Sequence, residues 1–251
     1  MDLGIEGRTA LVLGASRGIG RGIARALAAE GADVAVSSRS ADRLAELVTE
    51  LGPEHSRAFA ADSGDLERLA ALPAEVERAL GPVEILVLNT GGPPGGTALE
   101  HDSDAWEAAY RSLVLAPLTL AEAALPGMRE RRWGRIVNVA STSVREPIPG
   151  LALSNSNRMA AVGLLNTLAR EVAADGITVN TIATGRFATE RLAELYGSLE
   201  AAERSAADDV PAGRLGTPAE FGDLAAFLCS ERAAYLTGAV IPLDGGLTRS
   251  S

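Results

Sequence analysis

The stretch "TALVLGASRGIGRGIARALAAEGADVAVSS", residues 9–38, decides how this chain folds. It opens on a continuous apolar run, passes three glycines at Gly14, Gly18 and Gly20, and ends on a second apolar run. Between the runs, Ile19, Ile23 and Leu27 recur at i, i+4 and i+8. That is one face of an amphipathic helix, with Gly31 placed to cap its C-terminus. Strand, glycine turn and helix in this order make a diphosphate site. Glycines let the backbone turn tightly and approach the anion, and the helix start offers unpaired N–H groups at the positive end of its dipole.

Outward from this unit the alternation continues. Strand-like runs are predicted at Thr9–Gly14, Asp33–Ser38, Arg57–Ala61, Glu84–Asn89, Arg135–Ala140, Ile177–Ala183 and Gly238–Leu243. Continuous apolar runs without strict alternation suit strands buried on both faces of a parallel sheet. Strand–helix–strand repetition predicts right-handed crossovers, hence a single-domain α/β Rossmann fold over residues 1–251, with a doubly wound parallel sheet of about seven strands. The longest helical segment is expected from Ser103 to Arg132, interrupted at Pro117 and Pro126. The least regular piece, residues 186–213, reads as helices inserted after the sixth strand, a natural place for a lid.

Composition narrows the function. The net charge of -10 excludes a nucleic-acid partner, which needs a basic face. No apolar run approaches the ~20 residues of a membrane span, and the N-terminus shows no signal-peptide pattern. Cys229 is the one cysteine, set in the apolar run "LAAFLCS", where a buried inert thiol is expected. Together these point to a reducing cytoplasm. All 23 basic residues are arginine, so any mechanism that requires lysine is excluded.

At the end of the second strand, an NAD site offers a carboxylate to the ribose hydroxyls. This chain has Ser37, Ser38 and Arg39 there, with Arg17 inside the glycine loop. A guanidinium fork attracts a 2′-phosphate that a carboxylate would repel. NADP(H) is therefore the preferred cofactor, NAD(H) the alternative. Asp62, after the third strand, is placed to meet the adenine amino group or to close a turn.

The motifs "LGASRGIG", "LNTGG" (Leu88–Gly92), "GRIVNVAS", "GITVNTIATG" and "GRLGTPAEFGDLAAFLCSERAAYLTGAVIPLDGG" occur in the order found in short-chain dehydrogenases/reductases. The chain resembles that family over almost its full length, and its 3-oxoacyl-carrier-protein reductase-like branch in particular. The resemblance implies nucleotide contacts from Gly14, Ser16, Arg17, Gly18, Ile19 and Gly20 in the loop, and from Ser38, Arg39, Asp62 and Ser63 along the adenosine side. It implies further contacts from Asn89 and Gly91, and from Arg158, Thr184, Gly185 and Thr189 around the nicotinamide half. It also implies a homotetramer joined through the long helices, where Ala161, Leu164, Leu165 and Leu168 broaden the apolar face of "NRMAAVGLLNTLAREVA".

The family's chemistry uses asparagine, serine, tyrosine and lysine. Ser141 falls on the serine, Ser154 on the tyrosine, Arg158 on the lysine and Leu113 on the asparagine. Ser141, Ser154 and Arg158 are thus the candidate catalytic set, in the stretch "LALSNSNRMAAVG" (Leu151–Gly163) that departs most from the family. A phenol of pKa ~10 needs about three units, roughly 4 kcal/mol, to reach neutrality, and an aliphatic hydroxyl is far weaker still. Ser154 is therefore no acid, and Arg158 does not release a proton at physiological pH. Of other groups, Tyr196 in the insertion can reach the site. Tyr110 is expected to pack the long helix, Tyr235 to be structural, and His55 and His101 to be exposed. Arg145 and Arg186 are expected to flank the same mouth, which suits a small-molecule substrate that is anionic or an acyl-thioester.

Two functions follow. One is an atypical NADP(H)-dependent oxidoreductase reducing a carbonyl. The other is a nucleotide-binding sensor or scaffold that kept the pocket and lost catalysis.

Overall fold

In the computed structural model, which describes residues 1–250, β1 (Thr9–Leu13) leads through α1 (Gly18–Ala29) to β2 (Asp33–Ser38). The chain continues through α2 (Ala41–Leu51), β3 (Ser56–Ala60), α3 (Leu66–Ala79) and β4 (Val83–Leu88). After a long loop come α4 (Ser103–Tyr110), a π-helical turn over Arg111–Leu115, α5 (Ala116–Arg131) and β5 (Gly134–Val139). Then follow α6 (Ala152–Val172), β6 (Ile177–Thr184), α7 (Glu190–Tyr196), α8 (Leu199–Asp209), α9 (Pro218–Leu228) and β7 (Val240–Leu243). All seven strands are parallel, in the order β3-β2-β1-β4-β5-β6-β7. The doubly wound sheet expected from the alternation is present, with most strand ends displaced by a residue or two.

Strand periodicity divides the core. Val12, Val36, Val87, Val137 and Ile182 face one side, against Ile23, Leu27, Leu44 and Phe221 of α1, α2 and α9. Leu11, Leu13, Leu86, Ile136 and Val179 face the other, against Leu69, Leu120, Leu165 and Ala169 of α3, α5 and α6. Successive side chains point to opposite faces, so apolar runs are what a sheet covered by helices on both sides requires. Cys229 lies in the first core, and burial pushes its thiol up to about 12 although the charge of Arg135 opposes this.

Several expectations are corrected. Pro126 does not interrupt the helix, being accommodated inside α5. At Pro117, the second residue of α5, the helix is irregular: the missing N–H follows directly on the π-helical turn that carries Leu113. Residues 103–131 form one helix long and apolar enough to cross a membrane by length and composition, but Ala116, Leu120, Ala121 and Met128 are buried against the sheet, as in a core helix of a soluble protein. On α6, Ala161 and Leu165 are buried and Leu168 packs on the same core, so these residues serve the monomer. Of the apolar and glycine residues of α6, Met159, Ala160 and Gly163 are exposed.

Candidate functional site

The strand order reverses between β1 and β4, and a doubly wound sheet opens its ligand crevice beyond the C-terminal ends of such a pair. Gly14 follows β1 and Asn89 follows β4. The Asn89 side chain donates from Nδ2 to the Gly14 carbonyl at 3.3 Å, tying the two strand ends together. A Cβ on Gly20 would stand 2.2 Å from the Gly14 oxygen and 2.6 Å from Asn89 Nδ2, and Gly14 itself has φ 60. Gly20 thus lets α1 pack close on the end of β1, while Gly14 and Gly18, at φ 60 and 53, turn the loop that presents the N–H groups of the α1 N-terminus. Ser16, Arg17, Gly18 and Ile19 line that start, all half-buried.

On the adenosine side, Arg39 is largely exposed, its Nε 3.9 Å from the Asp62 carboxylate, while Asp62 accepts from the Gly64 amide. Ser38 Oγ accepts from the Ser40 amide and Ser63 is half-buried nearby in sequence to Asp62. Arg17 is not free. Its Nη1 donates to Glu190 at 2.8 Å and to Glu194 at 3.2 Å, both on α7, and Arg43 of α2 donates to Glu190 at 3.0 Å. Glu190 is held below the usual carboxylate range first by Arg17 and then by Arg43. Ser16, Arg17, Gly18, Arg21, Arg43, Glu46 and Glu190 together line a cavity of about 240 Å³.

At the other end, Thr184 closes β6 with its Oγ1 buried and unpartnered. Gly185 lies so close to Asp244 that a Cβ would meet its Cα at 2.5 Å. Thr189 caps α7, its side chain accepting from the Leu192 amide, and its methyl carbon lies beside Gly18. Gly91 has open space where a side chain would be.

The candidate catalytic residues come from β5 and α6. Ser141 follows β5 and caps the short helical turn Thr142–Val144, its Oγ accepting from the Ser143 amide at 3.1 Å. Arg158 reaches across from α6: its Nη1 donates to the Val139 carbonyl at 2.8 Å and its Nε to Ser154 Oγ at 3.2 Å. Ser154 and Arg158 stand one turn apart on the same helix face, and Arg158 ties them to the strand that ends at Ser141. Each serine oxygen thus already accepts a bond, which leaves its O–H as the group with no partner and sets both hydroxyls up as donors. Burial, and then the charge of Arg191, bring the Arg158 guanidinium down to about 10, still protonated at neutral pH. Leu113, in the π-helical turn, is buried at 2% exposure.

Other expected residues lie elsewhere. Arg145 donates to the carbonyls of Val240 and Ser250, and Arg186 donates to Ser205 and Asp209, so each is held by acceptors of its own. Tyr196 lies under Arg186 and packs with Leu192 and Leu199, away from Ser141. Tyr110 and Tyr235 are exposed rather than packed. His55 is exposed and bonded to Asp33, whereas His101 is half-buried, with its Nε2 enclosed beside Gly96. Sequence reasoning missed Arg43, Arg191, Glu190 and Glu194. A charged residue early in a helix carries no local signal of the loop it will meet more than a hundred residues away.

Comparison with known proteins adds to this geometry. Residues 14–248 match the family model described as enoyl-(acyl carrier protein) reductase. The chain is 35% identical to the 3-oxoacyl-[acyl-carrier-protein] reductase of Vibrio harveyi over 98% of this chain and 99% of that one. It is 34% identical to the 2,3-dihydroxy-2,3-dihydro-p-cumate dehydrogenase of Pseudomonas putida, covering 98% and 96%. Among solved structures, L-sorbose reductase from Gluconobacter frateurii, complexed with NADPH and L-sorbose, superposes with a TM-score of 0.95 at 33% identity over 100% of both chains.

Proposed function

This chain belongs to the short-chain dehydrogenase/reductase family of NAD(P)-dependent oxidoreductases, and we propose that it reduces a carbonyl with NADP(H), polarising the substrate oxygen with the paired hydroxyls of Ser141 and Ser154. The observation that carries this reading is the arrangement of those hydroxyls. Each already accepts one bond, one from the Ser143 amide and one from Arg158, and among the described residues neither O–H has an acceptor, so each is left to donate to a developing alkoxide.

The residues present fit the cofactor. The Gly14–Gly20 cradle rejects any Cβ and leaves helix N–H groups for a diphosphate, while the unpartnered Thr184 Oγ1 awaits a polar group at the nicotinamide end. Arg39, Arg17 and Arg43 supply cations for a 2′-phosphate. When bound, the nicotinamide supplies a hydride to the carbonyl carbon. The serines bind and orient the oxygen, and Arg158 holds Ser154 and adds its charge. The proton that completes the alcohol enters from water, since no residue of the set releases one at neutral pH. Lacking a positioned acid, the enzyme turns over about 10²–10⁴ more slowly than one that has it.

We assign α7 and α8 the role of a lid over the cofactor, supported by Thr189 against Gly18 and by the α7 carboxylates on Arg17. A homotetramer in the cytoplasm is the assembly we infer, with the exposed Tyr110 and Met159 of α4 and α6 at the contact.

The test follows deuteride from labelled NADPH into a panel of ketones. Ser141→Ala is expected to lower kcat by about 10²-fold or more while the NADPH Kd stays within about threefold. Tight NADPH binding without transfer to any ketone would favour the second reading, a nucleotide-binding sensor, for which the buried Leu113 is the supporting observation.

A further inference from the structure

Arg135, which is buried, and Arg158, which is half-buried, are handled differently. Arg135 is enclosed at 2% exposure, donates to three backbone carbonyls (Ser230, Gly134 and Gly176) and lies over the Trp133 ring, with Glu231 near enough to favour its charge. Its neighbours account for it. Arg158 has two acceptors, Val139 O and Ser154 Oγ, and among the described residues no carboxylate lies within ion-pair distance. Among the described residues its Nη2 has no hydrogen-bond partner; it sits on the C-terminal end of β5, next to β4, whose following loop holds a second cation, Arg191, that disfavours its charge.

Arg191 itself is held by the loop after β4. Its Nη2 donates to the Pro93 carbonyl at 2.9 Å and its Nε lies beside Gly92. Its one acidic contact is loose, Nη1 at 3.7 Å from a Glu194 carboxylate that already accepts from Arg17. Acids outnumber arginines in this chain by 33 to 23. Two guanidiniums at the adjoining ends of β4 and β5, one with no acid and the other with only the long Glu194 contact, are therefore a matter of placement, not of composition. A desolvated charge without a counter-ion is costly, and a like charge beside it adds to the cost. An incoming anion relieves both.

We propose that the substrate carries an oxyanion, a carboxylate or a phosphate, which docks between Arg158 and Arg191 while its carbonyl faces Ser141 and Ser154. The inference rests on the reductase reading above for the carbonyl, and on the two arginines alone for the anion. Arg191 belongs to α7, so anion binding also draws the lid onto the β4 loop.

The experiment compares a keto acid with its methyl ester and with the matching keto phosphate, at saturating NADPH, in wild type, Arg191→Gln and Arg158→Lys. A charged hydrogen bond at such a site is expected to favour an anionic substrate over the ester by about 10- to 100-fold in kcat/KM. The acid and phosphate arms decide which oxyanion fits. In Arg191→Gln the anion-to-ester ratio falls to within about threefold of one, through KM, whatever the absolute rate. Arg158→Lys, which keeps a charge but loses the fork, falls between. In parallel, an unreactive carboxylate of the same skeleton is titrated against the protein with and without NADPH, which needs no turnover. Carboxylate binding that Arg191→Gln abolishes, with no ketone reduced, keeps the anion site and overturns the reductase reading. Ester and acid reduced equally by wild type overturns the anion site and keeps the reductase. A weakening of NADPH binding in Arg191→Gln by tenfold or more, with the substrate ratio unchanged, also overturns it, because the cation then serves the cofactor diphosphate.

Discussion

Glutamine at position 190 should tighten the grip on NADPH. Glu190 accepts from Arg17 at 2.8 Å and from Arg43 at 3.0 Å, and the three side chains are between 41% and 53% exposed. At that exposure each pair is worth about 0.2–1 kcal/mol, so a ligand that must take both arginines from Glu190 works against about 0.4–2 kcal/mol. Arg17 keeps a second partner in Glu194 at 3.2 Å, which places the expected gain toward the lower half, about fivefold in Kd. The assay titrates NADPH and NADH by nucleotide fluorescence at low salt and at about 0.5 M salt, where surface charges are screened within a few ångströms. Glu190→Gln should tighten NADPH about fivefold at low salt and much less at high salt, with NADH changed less than twofold because it lacks the 2′-phosphate. Arg43→Gln should act in the opposite direction. Equal tightening of both nucleotides, or no change in either, refutes the competition between α7 and the phosphate.

Two further expectations are simpler. Gly20→Ala forces a methyl to 2.2 Å from the Gly14 carbonyl, so urea unfolding should show a loss of about 1–3 kcal/mol and NADPH affinity should fall by about 100-fold; wild-type binding would refute the cradle. Glu50, held chiefly by Arg25 and then Arg21, and Glu220, held by Arg214 and the Thr217 amide, are both depressed from 4.5 to about 2. A folded-state pKa below the unfolded one gives stability that is present above about pH 4.5 and lost as pH falls toward 2. The Glu50→Gln, Glu220→Gln double variant should therefore show a shallower decline of Tm over that window than wild type, and an unchanged decline would remove these two groups from the acid transition.

How much of this was legible beforehand follows the range of the interactions. Residues 9–38 carried their own structure: the runs, the glycines and the 3.6-residue repeat of Ile19, Ile23 and Leu27 each report on neighbours along the chain. Of the two prolines, Pro126 is tolerated inside α5, whereas Pro117 follows directly on a π-helical turn, a change of helix type that no local pattern announces. Tyr196, Arg145 and Arg186 were placed by the family's outline, and each found other partners: Tyr196 under Arg186, Arg186 on Ser205 and Asp209, and Arg145 on the C-terminal carbonyls. Those partners lie up to about a hundred residues away, beyond any local pattern.

Sequence alone determined the parallel sheet, the glycine cradle and the chemical poverty of the catalytic set, because backbone period, glycine placement and side-chain acidity belong to residues themselves. Only the tertiary structure decided which cations are engaged and which are not. Glu190 and Glu194 of α7 meet Arg17 and Arg43, while Arg158 has no acid within ion-pair distance among the described residues and Arg191 only the long contact to Glu194. Charge pairing depends on distance in space, and Arg17 and Arg43 meet Glu190, as Arg191 meets the loop after β4, only when the helices close over the sheet.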